Sequence, residues 1–136
     1  MRRTCAPTPR WTESAEGATT LDRMEIVRHA LLVVHLLGWA ALFGGLVVQL
    51  GEPEKKVNAA MRDGIGTAVL MGLFLVGVLE ADDQEVNHAK IGVKLVVGVV
   101  VLVLVMANMR KPRIPDGLYY ALLGLTIANV CVAVFW

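Results

Sequence analysis

The sequence predicts an all-α, polytopic membrane protein: an antiparallel bundle of four transmembrane helices. Three observations carry that reading. The 136 residues are 56% hydrophobic and only 18% charged, and the mean hydropathy is +0.61. The charges cluster and leave four apolar runs, at about 26–50, 60–80, 88–109 and 114–136, each some 20 residues or more. At ~1.5 Å per residue such a run crosses a hydrocarbon core ~30 Å thick. In lipid a run of this kind must be helical, because open backbone groups find no partner there. The alternating, turn-rich pattern of a membrane barrel is absent.

The polar opening, "MRRTCAPTPRWTESAEGATTLDR", has no periodic apolar face and is expected to be disordered. That divides the chain into a tail, 1–23, and a transmembrane domain, 24–136. Met24 is an alternative start, opening "MEIVRHALLVVHLLGW". Arg2 and Arg3 are not followed closely by an apolar segment, as an export signal requires.

Helix 1 carries Arg28, His35, Leu42 and Gln49 at seven-residue intervals, with Gly38 and Gly45 on the same side. This stripe is the predicted inward face, and Gly51 and Pro53 close the run. Helix 2 is poorer in polar groups, with Asp63 and Thr67 one turn apart. Helix 3 repeats Asn87, Lys94, Val101 and Asn108 at the same interval, with Lys90 a turn before Lys94. Helix 4 has Pro115 in its first turn and sets Asp116, Tyr119, Thr126 and Asn129 near one face. The 13 glycines fall largely within or beside the spans, where small residues let membrane helices approach closely.

Basic residues set the expected orientation. Lys55, Lys56 and Arg62 flank the first loop, and Arg110, Lys111 and Arg113 the third. From Met24 onward the other side holds Arg28 and Lys90. Loops 51–60 and 110–115 are therefore expected in the cytoplasm of a cell membrane, with both termini outside. Counting the tail adds Arg2, Arg3, Arg10 and Arg23 to the outer side and evens the balance. Tyr119 and Tyr120 are then expected at the inner interface and Trp136 at the outer one.

A lysine at membrane depth is costly and usually faces the bundle interior. Counting from the helix ends sets His35, Lys94, Thr126 and Asn129 in the same half of the membrane. Lys94 therefore either joins a polar cluster with His35 or an anionic ligand, or snorkels to the surface and leaves His35 as a satisfied interior histidine. His29 and His35 point about 240° apart around their helix, so they cannot clamp one ion. His88 lies roughly 13 Å shallower than His35, which disfavours that pair on one haem iron. His29 and His88 lie closer in depth and are weak metal candidates. Met71 lies near His35 in depth, which leaves a His35/Met71 axial pair for haem b open.

Two stretches resemble a known group. "HLLGWAALFGGL" (35–46) is similar to the first helix, and "NHAKIGVKLVV" (87–97) to the third, of the HemJ-type protoporphyrinogen oxidases and the related membrane domain of copper resistance protein D. The resemblance extends to the four-helix layout from about residue 24. It implies a haem carrier that oxidises a porphyrinogen, with His35 and Lys90 as its essential residues and Lys94 as an additional charge.

Three functions stand beside one another. One is a small structural or accessory membrane protein that needs only its packing faces. A second is a haem- or porphyrin-binding oxidoreductase in which His35, Lys90 and Lys94 are catalytic candidates. Arg28, His35, Met71, Lys90, Lys94 and Asn129 would then hold the cofactor, with the cations meeting porphyrin propionates. The third is a copper or other metal-handling module using His29, His88 or methionine. Net charge of +1 gives no footing for nucleic acid. Cys5 and Cys131 are too far apart in sequence to suggest a zinc or disulfide framework. The expected partners are the lipid bilayer and either a second copy or another membrane subunit.

Overall fold

A computed structural model of the protein describes the backbone of residues 10–82, 85 and 87–136, and side chains from residue 17 onward. Four helices follow one another: α1 (Arg10–Val47), α2 (Ala59–Ala81), α3 (His88–Asn108) and α4 (Asp116–Phe135). All four are long and apolar enough to cross a membrane, so the protein is a multi-pass membrane protein built as a helical bundle. Each helix packs on its chain neighbour, α4 returns to touch α1, and the backbones of the diagonal pairs stay apart.

The outer three helices have 20 to 23 residues, or about 30–35 Å. α1 is different, with 38 residues and a length of about 57 Å. The segment expected to be disordered is helical from Arg10 onward, and α1 runs unbroken past residue 23. Residues 17–23 are exposed, so packing does not hold them. An established helix adds residues cheaply, because only its first turn bears the nucleation cost, and alanine, glutamate and arginine extend it readily. Cys5 and the arginines at 2 and 3 lie outside the described residues.

α1 and α2 form the tightest pair, and small residues explain why. A Cβ on Gly38 would lie 2.7 Å from the Ala68 nitrogen and 2.7 Å from the Gly64 oxygen. One on Gly64 would lie 2.7 Å from Gly38 oxygen and Leu42 nitrogen. The two backbones therefore touch directly, as small residues four apart allow in lipid. Gly64, Ala68 and Gly72 supply that spacing on α2.

The end of the bundle formed by the first and third loops is sealed. The last carbonyls of a helix lack partners within it, and here amide side chains supply them. Gly45 oxygen accepts from Gln49 Nε2 at 2.8 Å and from Asn58 Nδ2 at 2.9 Å. Asn58 Oδ1 accepts from Met61 N–H at 2.9 Å and so caps α2. Gln49 Oε1 accepts from Lys56 N–H at 2.9 Å. Ile114 N–H donates to Lys55 oxygen at 2.8 Å and ties the third loop to the first. Tyr119 hydroxyl donates to Leu46 oxygen, pinning α4 to α1 at this end.

Lys55 is buried here, with 7% of its surface exposed. Its ammonium donates to Glu52 oxygen at 3.2 Å and sits 5.1 Å and 5.8 Å from the ring centres of Tyr119 and Tyr120. Tyr119 is fully buried, so of the two tyrosines expected at the interface only Tyr120 is exposed. Pro115 lies one residue ahead of α4, at its N-cap, rather than in the first turn.

Candidate functional site

The opposite half of the bundle is hollow. A cavity of about 480 Å³ lies between the four helices, and each contributes to its wall. Its size falls within the range of small-molecule sites. The wall is aliphatic except at His35, Trp39, Lys94 and Asn129. Three of the residues that depth counting set at one level therefore do meet around one space.

His35 reaches this position through a notch in α2. Ala68 and Gly72 leave room for the imidazole, and a Cβ on Gly72 would come within 3.0 Å of His35 Cε1. His35 Nδ1 lies 2.6 Å from Ala68 oxygen. Because a carbonyl only accepts, Nδ1 carries the proton. Trp39 Nε1–H, one turn on, donates to His35 Nε2 at 3.2 Å, with the two rings edge to face. Both imidazole nitrogens are thus engaged, Nδ1 donating and Nε2 accepting.

That arrangement does not fit haem ligation. Nε2 would have to give up Trp39, or Nδ1 give up Ala68, before either could bind iron. Met71, the other axial candidate, is absent from the cavity wall. Arg28, Lys90 and Met71, expected around a cofactor, do not line the space that His35, Lys94 and Asn129 share. Lys90 lies one turn, about 6 Å, nearer the helix end than Lys94. Arg28 precedes His35 by two turns.

Lys94 is half-buried and lines the cavity about 9 Å along α3 from its first residue. No side chain among the described residues pairs with it. Asn129 is 6% exposed, and its Oδ1 is buried without a hydrogen-bond partner. A buried acceptor left unpaired costs about 1–3 kcal/mol, so this oxygen calls for a donor. Thr126 is spent elsewhere: its hydroxyl donates to Leu122 oxygen at 2.7 Å, within its own helix.

The metal candidates do not converge. His29 is exposed, its Nδ1 2.8 Å from Glu25 oxygen, and His88 is exposed at the start of α3. Among the described residues, no three histidine, cysteine, aspartate or glutamate side chains gather to hold an ion. Cys131 is exposed on α4. Trp39 escaped sequence reasoning as a site residue, although its place one turn after His35 was the available signal. Ala68 and Gly72 escaped it too, and their spacing of four on the facing helix marked the notch.

The fold and cavity define a four-helix integral membrane protein with an internal, mostly apolar site. No family model, curated protein or solved structure matches the chain.

Proposed function

We propose that this protein is an accessory component of the cell membrane that holds an amphiphilic ligand with an acidic head in the cavity between its helices. The carrying observation is an unpartnered cation, Lys94, in the wall of a cavity that is otherwise aliphatic apart from His35, Trp39 and Asn129. A charge at membrane depth with no protein partner marks a functional site. The aliphatic wall matches the body of an amphiphile, and Lys94 matches its head by a charge-assisted hydrogen bond. His35, with both nitrogens engaged by Ala68 and Trp39, shapes the cavity. The basic loops support an orientation with loops 51–60 and 110–115 in the cytoplasm and both termini outside. The cavity then lies in the outer half of the membrane.

The test is thermal unfolding in mild detergent with a long-chain carboxylic acid and with its methyl ester. A ligand at a hundred times its Kd stabilises by ~2.7 kcal/mol. The acid is expected to raise the melting temperature and the ester to leave it unchanged, with the difference lost in Lys94→Leu. Equal effects of acid and ester would sink the proposal. An oxidised-minus-reduced spectrum is expected to show no Soret band. A band abolished in His35→Ala would replace this reading by the haem one.

A further inference from the structure

We infer that the sealed end of the bundle carries a seat for the phosphate head of an anionic phospholipid, formed by Lys56 of the first loop and Arg113 of the third. The seat lies at the opposite end of the bundle from the cavity and stands independently of it.

The backbone brings the two cations together. Ile114 N–H donates to Lys55 oxygen at 2.8 Å, and each of these residues is the chain neighbour of one cation. Standard bond lengths then hold the Cα atoms of Lys56 and Arg113 within about 8 Å of each other. Both long side chains can therefore reach one phosphate. The loops are fixed before any ligand arrives. Gln49 Oε1 accepts from Lys56 N–H at 2.9 Å. Pro112 and Pro115, on either side of Arg113, restrict the backbone of the third loop, and Ile114 between them is fully buried.

The charges are free to act on a ligand. Lys56 and Arg113 are exposed, as are Arg110 and Lys111 beside them. Among the described residues none of the four pairs with an acid, and the ion pairs there join Lys55 to Asp116 and Arg62 to Asp63. Glu52 and Glu54 are the exposed acids of the same two loops, so an excess of two positive charges remains. Arg113 can meet two phosphate oxygens with its planar fork, while Lys56 adds a point charge. The partner is a lipid because the seat borders the bilayer. Met106 and Met109, at the end of α3, are exposed, as is Tyr120 near the start of α4, an aromatic placed where membrane meets water. A head held at Arg113 leaves its acyl chains along apolar helix surface, and basic residues beside a span attract anionic lipid.

The test counts lipids bound to the full chain, stripped of lipid in mild detergent, by native mass spectrometry. The probes are dioleoylphosphatidylglycerol, dioleoylphosphatidylcholine with the same chains, and glycerophosphoglycerol, the anionic head without its chains. One saturable phosphatidylglycerol is expected to bind about thirtyfold more tightly than phosphatidylcholine, the worth of two cations at a membrane surface. Glycerophosphoglycerol at equal concentration is expected not to displace it. Lys56→Gln with Arg113→Gln should erase the preference. Arg110→Gln with Lys111→Gln, an equal loss of charge, should weaken it less. Arg113→Lys keeps the charge but loses the fork, and should weaken binding severalfold. All four positions are exposed, so the variants keep the fold. Equal affinity for the two lipids overturns the proposal. Equal losses from the two double variants, or an unchanged Arg113→Lys, overturn a defined seat in favour of diffuse attraction. Displacement by the free head overturns the lipid as partner in favour of a soluble phosphate.

Discussion

Gly38→Ala is expected to loosen the whole bundle, although it adds a single methyl group. The new Cβ would stand 2.7 Å from Ala68 nitrogen and from Gly64 oxygen, and 3.0 Å from Ala68 Cα. All three are backbone atoms of α2, so no rotamer change relieves the clash. Ordinary contact begins at 3.4 Å, and α1 and α2 must therefore part by about 0.7 Å at the crossing. A gap of ~0.5–1 Å removes a quarter to a half of each van der Waals well, and overpacking of this kind costs about 1–3 kcal/mol. Against this stands a gain of up to ~1 kcal/mol, because alanine favours the helix over glycine. Gly44→Ala isolates that gain: Gly44 lies on the same helix with nothing within 4 Å of its added Cβ. The assay is reversible unfolding in mixed micelles with increasing dodecyl sulfate. Gly38→Ala should lie about 1–3 kcal/mol below Gly44→Ala. Equal stability of the two variants would show that the backbones do not touch at this crossing.

Two further predictions concern buried polar groups. Asn129→Leu removes an unpaired acceptor and should stabilise the ligand-free protein by about 1–3 kcal/mol, read in the same unfolding assay; a loss of stability would mean that Oδ1 already has a partner. Lys55→Met strips an ammonium from two tyrosine faces and should cost about 1–2 kcal/mol. Asp116→Asn should be near neutral, since Asp116 is 60% exposed and 3.9 Å from Lys55. A larger loss from Asp116→Asn than from Lys55→Met would invert the roles assigned to the rings and the carboxylate.

Helix existence and inward faces were readable because both are periodic. Leu42 and Gln49, Val101 and Asn108, and Tyr119, Thr126 and Asn129 are all buried as their spacing predicted. Depth counting brought His35, Lys94 and Asn129 together, since rise per residue is nearly constant. Rotation about each axis is set by packing, which rise per residue does not report. Met71 shares a depth with His35 but is turned out of the cavity wall. Thr126 turns its hydroxyl back to Leu122, a local option that spacing between helices cannot reveal. The two bonds that fix His35 depend on a notch 33 residues away in sequence. In the sequence Lys55 is a loop charge among others, and its burial depends on a tyrosine 64 positions later that the fold delivers to it. The helical course of residues 10–23 was missed because polarity bears on packing, whereas helix extension is a local matter.

The unequal grip of the helices on one another also bears on how the chain is assembled. α1 and α2 are consecutive, joined by a short loop, and locked by glycine contacts and side-chain amides that involve no later residue. This hairpin contains what it needs to become ordered as soon as its second helix leaves the ribosome and enters the lipid. α3 and α4 then add to a finished surface, with the loop bond from Ile114 to Lys55 and the helix bond from Tyr119 to Leu46 closing the register last. Defects in the first pair should therefore appear as failed biogenesis and early degradation, and defects in α4 as a full-length protein that reaches the membrane with its final helix undocked.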